Sequence, residues 1–211
     1  MSEFRKHKGR AVVMAQDNIS TDQIIPSREM KRVSKIGLGD GLFANLRYID
    51  AAKGGRTPDP DFVLNQRDGE SASVLVAGAN FGCGSSREHA VWALKEFGFR
   101  VIAAESFGTI FFNNCAANGV LPVVLTPEEV SALMETVLAG SHVKADLEAQ
   151  RLMAGDLDFS FTLPPAQREM LLKGLSAIDV TLADKPLIDL FVAQDQKLRG
   201  WLYKTERPSN G

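Results

Sequence analysis

The chain has 211 residues, of which 45% are hydrophobic and 24% are charged, and its formal net charge is −2. This length and composition fit one large globular domain, and the near-neutral charge argues against nucleic-acid and anionic-membrane partners. The basic start of the chain lacks the apolar segment of a secretory signal, and no apolar run reaches the ~18 residues of a membrane span. We therefore expect a cytoplasmic protein.

The first third of the chain predicts one buried strand followed by irregular structure. The strand is the apolar run RAVVMA at 10–15, and the polar loop QDNISTDQIIP follows it up to Pro26. The glycine-punctuated segment 37–46 predicts a short helical turn. Segment 52–62, with Gly-Gly and two prolines, predicts a surface loop.

Strands and helices alternate from residue 71 onward. The pattern predicts strands at 71–78, 100–105 and 120–125, and helices at 85–99, 106–119 and 126–140. Short connections between them are typical of parallel βαβ units. Two late strands at 142–150 and 157–163, a helix at 164–174 and a helical tail complete the chain. We predict a single α/β domain over 1–211, with a core at about 8–185 and a tail at about 186–211.

The segment GANFGCGSSREH at 78–89 links the first of these strands to its helix. It does not fit the dinucleotide fingerprint, because Arg87 stands where the third glycine should be. It lacks the lysine of a phosphate-binding P-loop, and Glu88 replaces the last glycine of a hydrolase nucleophile elbow. No standard nucleotide or hydrolase motif explains this loop.

Two interpretations of the loop remain open. Ser85 and Glu88 have the spacing of a capping box, which would make the segment an ordinary helix start. Alternatively, it is an anion site, because Arg87 in a first helical turn opposes the helix dipole unless an anion binds there. The three glycines at 78, 82 and 84 indicate close backbone approach or positive φ.

The cysteines and the nearby histidine point to structural roles. Cys83 and Cys115 are the two cysteines of the chain, too few to ligate an iron–sulfur cluster or a structural zinc ion. We interpret Cys83 as a small buried apolar residue. His89 shares a helix face with Ser85, but a hydroxyl at the helix start points away from that face, so a Ser-His dyad is disfavoured.

A second candidate site is STDQIIP at 20–26. Thr21 and Asp22 are either turn formers or an active-site pair in which Asp22 holds a substrate-binding arginine. The basic residues Arg28, Lys31 and Arg32 follow closely. Beside a glycine–serine anion site they would suit a multiply charged carboxylate, and otherwise they are an exposed charged helix end.

Several segments together resemble one known family. They are DNISTDQIIP (17–26), PDFVLN (60–65), NFGCGSSREHAVWAL (80–94), SFGTIFFNNCAANGVLPVVL (106–125) and LLKGLSAIDVTL (171–182). In these segments the chain resembles the small subunits of 3-isopropylmalate dehydratases (isopropylmalate isomerases), which belong to the aconitase superfamily. The resemblance implies a swivelling β/β/α domain with a mostly parallel central sheet flanked by helices.

The same resemblance implies a hydro-lyase that is active only as a heterodimer. Its large subunit would hold a [4Fe-4S] cluster, and this chain would hold no metal. The reaction would interconvert 2-isopropylmalate and 3-isopropylmalate, which are 2-hydroxy dicarboxylic acids, by dehydration and rehydration in leucine biosynthesis.

The resemblance also implies roles for seven residues of this chain. Ser85 matches the serine that removes the proton from carbon, and Arg87 and Ser86 match residues that bind a substrate carboxylate and stabilise the serine alkoxide. The implied catalytic residues are Ser85, Arg87 and Asp22, and the implied substrate-binding residues are Ser86, Thr21, Arg28 and Arg32. The segment from Ser27 to about Ile36 matches the substrate-selecting loop.

Two departures from the family pattern leave alternatives open. Ser20 stands where the family often has aspartate, which leaves the Thr-Asp pair intact. Glu29 stands where an apolar residue is expected, although an isopropyl group needs an apolar wall. A related diacid such as citramalate or a substituted malate is therefore an alternative substrate, and a non-catalytic anion-binding module is an alternative function.

Overall fold

The computed structural model describes residues 2–30 and 36–203 of the chain. It divides into two compact units, one ending at Leu175 and the other starting at Ser176. This break precedes the tail boundary at about 186 expected from the sequence, and the single-domain assignment stays a prediction. No helix in the described part of the chain is both long and apolar enough to cross a membrane.

The first unit contains one mixed sheet. Its strands within the described residues are β1 (Lys6–Met14), β2 (Ala72–Ala77), β3 (Val101–Ala104), β4 (Leu121–Val124), β5 (Val143–Asp146), β6 (Arg151–Ala154) and β7 (Leu157–Ser160). Their order is β4-β3-β2-β1-β5-β6-β7. Strand β1 joins the two halves, because its later residues run parallel to β2 and its earlier residues run antiparallel to β5.

The described helices are α1 (Thr21–Ile24), α2 (Ala44–Arg47), α3 (Arg67–Glu70), α4 (Glu88–Phe97), α5 (Thr109–Asn118), α6 (Pro127–Leu138), α7 (Pro165–Lys173), α8 (Ala177–Ala183) and α9 (Lys185–Leu198). Helices α4 and α5 connect the parallel strands β2, β3 and β4. The predicted α/β alternation is therefore confirmed. Helix α6 is capped by Thr126, whose hydroxyl accepts a hydrogen bond from the Glu129 amide.

Both faces of the parallel strands are covered by apolar side chains. In β2, Leu75 belongs to one buried cluster and Val76 to the other, because successive side chains of a strand point to opposite faces. Helix α4 contributes Leu94 to the first cluster, and α6 contributes Leu133 to the second. Burial on both faces explains why the predicted strand at 71–78 is a continuous apolar run.

The structure corrects three sequence predictions. Strand β1 begins at Lys6 and not at Arg10, because its polar first half pairs with β5 at the surface. Strand β6 was not predicted, since a strand of only four residues, two of them half-buried, gives little pattern. Part of the predicted polar loop at 16–26 is helix α1, where Ser20 and Gln23 form a capping box.

The second unit consists of α8, α9 and a 3-10 turn at Gly200–Tyr203. Helix α8 begins with a capping box between Ser176 and Asp179. At the end of α9, Asp195 accepts hydrogen bonds from Arg199 at 2.6 Å and from the Tyr203 hydroxyl at 2.8 Å. The predicted helical character of the tail is thus confirmed for Lys185–Leu198.

Candidate active site

The two candidate segments of the sequence lie side by side in the structure. Because β1 and β2 are parallel neighbours, the loops that follow them leave the sheet at the same edge. The Gly82 amide donates to the Ile19 carbonyl at 2.7 Å, and the Thr21 amide donates to the Cys83 carbonyl at 2.8 Å. These backbone bonds bring Thr21 next to Ser85.

Gly82 permits the close packing of this loop. Its φ is +72°, and a Cβ atom placed on it would lie 2.2 Å from Cγ of Phe111. Gly84 also has a positive φ, of +94°. Any side chain at Gly82 would therefore meet both backbone strain and the buried Phe111 ring. The prediction of close approach or positive φ is confirmed at Gly82 and at Gly84.

Ser85 is held from one side by Thr21. The Thr21 hydroxyl donates to the Ser85 carbonyl at 3.0 Å, and its Oγ1 lies 3.3 Å from Ser85 Oγ. Thr21 is buried, whereas Ser85 and Ser86 are exposed. The threonine is thus a fixed partner, and the serine hydroxyl remains accessible to a ligand.

Arg87 and Asp22 form an ion pair between Arg87 Nη1 and Asp22 Oδ1. Asp22 comes from the first turn of α1, and Arg87 is the N-cap residue of α4. The Arg87 side chain is 27% exposed, and that of Asp22 is 60% exposed. A guanidinium has five N–H donors in a planar fork, so Arg87 can bind a carboxylate while Asp22 orients it.

The capping-box interpretation of Ser85 and Glu88 is wrong. Helix α4 begins at Glu88, which places Ser85 two residues before the N-cap, and no side chain caps this helix end. The Glu88 carboxylate instead accepts a hydrogen bond from Asn118 Nδ2 at 2.8 Å. The reason is a tertiary contact: Asn118, at the end of α5, competes for the glutamate side chain.

The contacts of Cys83 and His89 agree with structural roles for both residues. Cys83 is half-buried, and its thiol donates to the Asn18 carbonyl at 3.5 Å. The His89 ring packs against Trp92, with ring centroids 4.7 Å apart. The side-chain neighbour of Ser85 is Thr21 and not His89, which agrees with the sequence argument against a Ser-His dyad.

The predicted selecting loop is only partly described. Arg32 and its neighbour Lys31 lie outside the described residues. Arg28 forms an ion pair of 3.2 Å with Glu29, which also pairs with Arg56 at 2.6 Å. Among the described residues, Arg28 makes no hydrogen bond to Ser85 or Arg87, and its Nη2 atom is buried without a hydrogen-bond partner.

A carboxylate that the sequence interpretation missed fixes the far end of this loop. Glu96, near the end of α4, accepts hydrogen bonds from the amides of Gly37 at 2.6 Å, Leu38 at 2.6 Å and Gly39 at 2.9 Å. Burial acts to raise the pKa of Glu96, but these three amides outweigh it and hold the pKa below its ordinary value. No local pattern marks this contact, because its partners are more than fifty residues apart in sequence.

A cavity of about 170 Å³ lies beside Ser85. Its walls are the loop of residues 82–85 and the N-terminal end of α5, residues 108–111. Ser85 thus lines a small cavity, and its partner Thr21 immediately precedes Asp22 of the ion pair. This combination can bind a small anion that also has an uncharged part.

The chain does not fit an iron–sulfur cluster. Cys115 is fully buried, which raises the pKa of its thiol well above the ordinary value, and Cys83 already bonds to a carbonyl. Within the described residues, no group of three or more His, Cys, Asp or Glu side chains could hold a metal ion. Two cysteines are fewer than the four thiolates that a [4Fe-4S] cluster commonly takes.

Known proteins have a similar sequence and a similar fold. The family model of the aconitase C-terminal domain matches residues 1–128. A 3-isopropylmalate dehydratase small subunit from Cupriavidus necator is 51% identical over 207 residues, covering 96% of this chain and 99% of the relative. One from Shewanella baltica is 45% identical over 204 residues, covering 95% of this chain and 99% of the relative.

A solved structure extends the comparison to three dimensions. The crystal structure of a 3-isopropylmalate dehydratase from Methanocaldococcus jannaschii aligns with a TM-score of 0.63 at 26% identity, covering 87% of this chain and 97% of that one. The aconitase-type α/β fold predicted from the sequence is thereby confirmed. The chain belongs to the aconitase C-terminal domain family and, within it, to the family of 3-isopropylmalate dehydratase small subunits.

Proposed function

We propose that this chain is the small subunit of a hydro-lyase that interconverts 2-isopropylmalate and 3-isopropylmalate in leucine biosynthesis. The observation that carries the proposal is the position of the exposed Ser85 hydroxyl, held by Thr21 next to the Arg87–Asp22 ion pair. The near full-length similarity to small subunits of this enzyme supports the same substrate class.

Ser85 acts as the base in the dehydration. Its alkoxide takes the proton from the carbon next to a substrate carboxylate, and the electron pair of that C–H bond forms the double bond as hydroxide leaves. A serine alkoxide needs strong stabilisation near neutral pH. Thr21 supplies a hydroxyl within reach, and the guanidinium of Arg87 supplies positive charge.

Arg87 and Ser86 bind a substrate carboxylate. The planar guanidinium can donate two parallel hydrogen bonds to the two carboxylate oxygens. Asp22 keeps the guanidinium in place, and the exposed Ser86 hydroxyl adds a further donor. Arg28 and Arg32 belong to the substrate-selecting loop and attract the second carboxylate.

The active enzyme is a heterodimer in the cytoplasm with a large subunit that holds the [4Fe-4S] cluster. When bound to the large subunit, such a cluster would supply Lewis-acid chemistry for the departure of hydroxide. The poor fit of this chain's own residues to a cluster supports that division. No nucleic acid or membrane takes part in the proposed reaction.

Reconstitution tests the proposal. The purified chain is mixed anaerobically with the cluster-bearing large subunit of the same organism, and isopropylmaleate formation is followed by its ultraviolet absorbance. We expect neither subunit alone to turn over 2-isopropylmalate and the mixture to do so. Full turnover by this chain alone would show that no large subunit is needed. An inactive but assembled mixture would show that isopropylmalate is not the substrate.

The role of Ser85 is tested in the same mixture. Ser85→Ala should remove nearly all turnover while leaving subunit assembly, measured by gel filtration, unchanged. Ser131→Ala is the matched control, because Ser131 is an exposed serine on α6. Near-normal turnover of the Ser85→Ala enzyme would reject Ser85 as the base.

A further inference from the structure

The cavity beside Ser85 has walls of a distinct chemical character. They come from residues 82–85 and 108–111 and include no charged side chain. The large apolar side chain that solvent reaches in these walls is Ile110, which is 53% exposed, whereas the ring of Phe111 behind it is buried. No charged side chain lines the cavity, and the exposed Ile110 offers an apolar contact to the uncharged part of a ligand.

The size of the cavity suits a branched alkyl group. At roughly 30 Å³ per water molecule, its volume of about 170 Å³ is that of five or six waters. A branch of three or four carbons would fill a large part of that space. Ser85 lines the cavity, and its carbonyl accepts a hydrogen bond from the Arg87 amide at 2.8 Å, so one ligand can place a carboxylate at Arg87 and its branch in the cavity.

We propose that the cavity receives the alkyl branch of the diacid and that Ile110 is the residue that determines specificity for this branch. The inference rests on the proposed function, because it assigns part of the substrate to that same site. Ile110 lies at the second position of α5 and does not belong to the segments singled out as candidate sites in the sequence.

The contacts of Glu29 support Ile110 as the apolar wall of the site. The resemblance to the family predicts an apolar residue at position 29, in the selecting loop. In the structure the Glu29 carboxylate pairs with Arg28 and Arg56, and its side chain is only 15% exposed. Because Glu29 is engaged in ion pairs, its side chain offers no apolar contact, and Ile110 beside Ser85 is an exposed apolar group that does.

Paired substrates test the assignment in the reconstituted enzyme. We measure kcat/KM for 2-isopropylmalate and for citramalate, which has a methyl group in place of the isopropyl group. The wild-type enzyme should favour isopropylmalate. Ile110→Ala should lower kcat/KM for isopropylmalate by about tenfold, as expected for lost contacts to a branched group, and leave that for citramalate nearly unchanged. Ile110→Trp, which fills the cavity, should exclude isopropylmalate more strongly than citramalate.

Controls separate this inference from the proposed function. Leu138→Ala removes an exposed apolar side chain at the end of α6 and should leave the ratio of the two kcat/KM values at the wild-type level. An equal loss for both substrates in Ile110→Ala, or no change in their ratio, would overturn the assignment. If the wild-type mixture converts neither diacid, the proposed function itself fails, and Ile110 is not at issue.

Discussion

The Thr21 hydroxyl donates to the Ser85 carbonyl at 3.0 Å, while its oxygen lies 3.3 Å from Ser85 Oγ. Threonine has one hydroxyl hydrogen, so the neutral Ser85 hydroxyl is the donor in the contact between the two side chains. When Ser85 is ionised, Thr21 can rotate its hydrogen toward the alkoxide. One buried threonine thus positions the serine and can stabilise its anion.

Replacing Thr21 tests both effects. Thr21→Val keeps the branched shape but removes the hydroxyl, and we expect kcat/KM of the reconstituted enzyme to fall by about tenfold, the value of one hydrogen bond of roughly 1 to 1.5 kcal/mol. Thr21→Ser keeps the hydroxyl and is the matched control, with activity within about threefold of the wild type. Equal activities of the two variants would show that the hydroxyl is not used.

The Arg87–Asp22 ion pair predicts a larger rise in KM when Arg87 is replaced than when Asp22 is replaced. Arg87→Lys removes the planar fork, and we expect KM for isopropylmalate to rise by at least about tenfold. Asp22→Asn removes one charge from a partly exposed pair, so the expected rise is smaller, about threefold. Steady-state kinetics of the reconstituted enzyme measure both.

The double variant distinguishes orientation from independent binding. If Asp22 acts by orienting Arg87, the loss in Arg87→Lys with Asp22→Asn will be smaller than the product of the two single losses, with a coupling of about 0.5 kcal/mol or more. Strictly multiplicative losses would show that Asp22 has a role of its own and does not act through Arg87.

The Glu96 contact with residues 37–39 predicts a pH-dependent stability. Glu96→Gln should lower the melting temperature at about pH 7 by a few degrees, because about 1 kcal/mol is lost in a protein of this size. The folded-state pKa of Glu96 lies below its ordinary value, so ionised Glu96 stabilises the fold above the ordinary carboxyl pKa. That contribution disappears as the pH falls through the folded-state pKa.

The measurement is the difference in melting temperature between wild type and Glu96→Gln across this pH range. We expect the difference to shrink toward zero as the solution becomes acidic. Glu135→Gln, which changes an exposed glutamate on α6, should show little difference at any pH. A Glu96→Gln difference that grows on acidification would contradict the assignment.

Gly82 and Gly54 form a matched pair for a test of packing. Both have positive φ, but a Cβ on Gly82 would overlap the Phe111 ring, whereas a Cβ on Gly54 would meet nothing within 4 Å. Gly54→Ala should cost about 1–2 kcal/mol of unfolding free energy from backbone strain alone. Gly82→Ala should cost about 1–3 kcal/mol more, from overpacking. Chemical denaturation measures both, and equal losses would show that the Phe111 ring yields without cost.

The local pattern of the sequence was sufficient to predict the α/β alternation. Apolar runs with turn residues between them specify β2, β3 and β4, because strands buried on both faces need continuous apolar sequence. Helix ends also depend on local contacts, as at the cap residue Thr126 of α6 and at Gly119 after α5. The segment DNISTDQIIP and the loop GANFGCGSSREH were also found from sequence alone.

Only the tertiary structure decided how these two segments work together. The parallel register of β1 and β2 brings Thr21 to Ser85 and Asp22 to Arg87, although each pair is more than sixty residues apart in sequence. Asn118 draws Glu88 away from the capping box that the local spacing predicted. The cavity wall at Ile110 belongs to an unremarkable helix start. The sequence by itself determined the elements and the candidate residue types, because these depend on local contacts. The tertiary structure decided the partners of these residues, because such contacts form only when distant segments pack together.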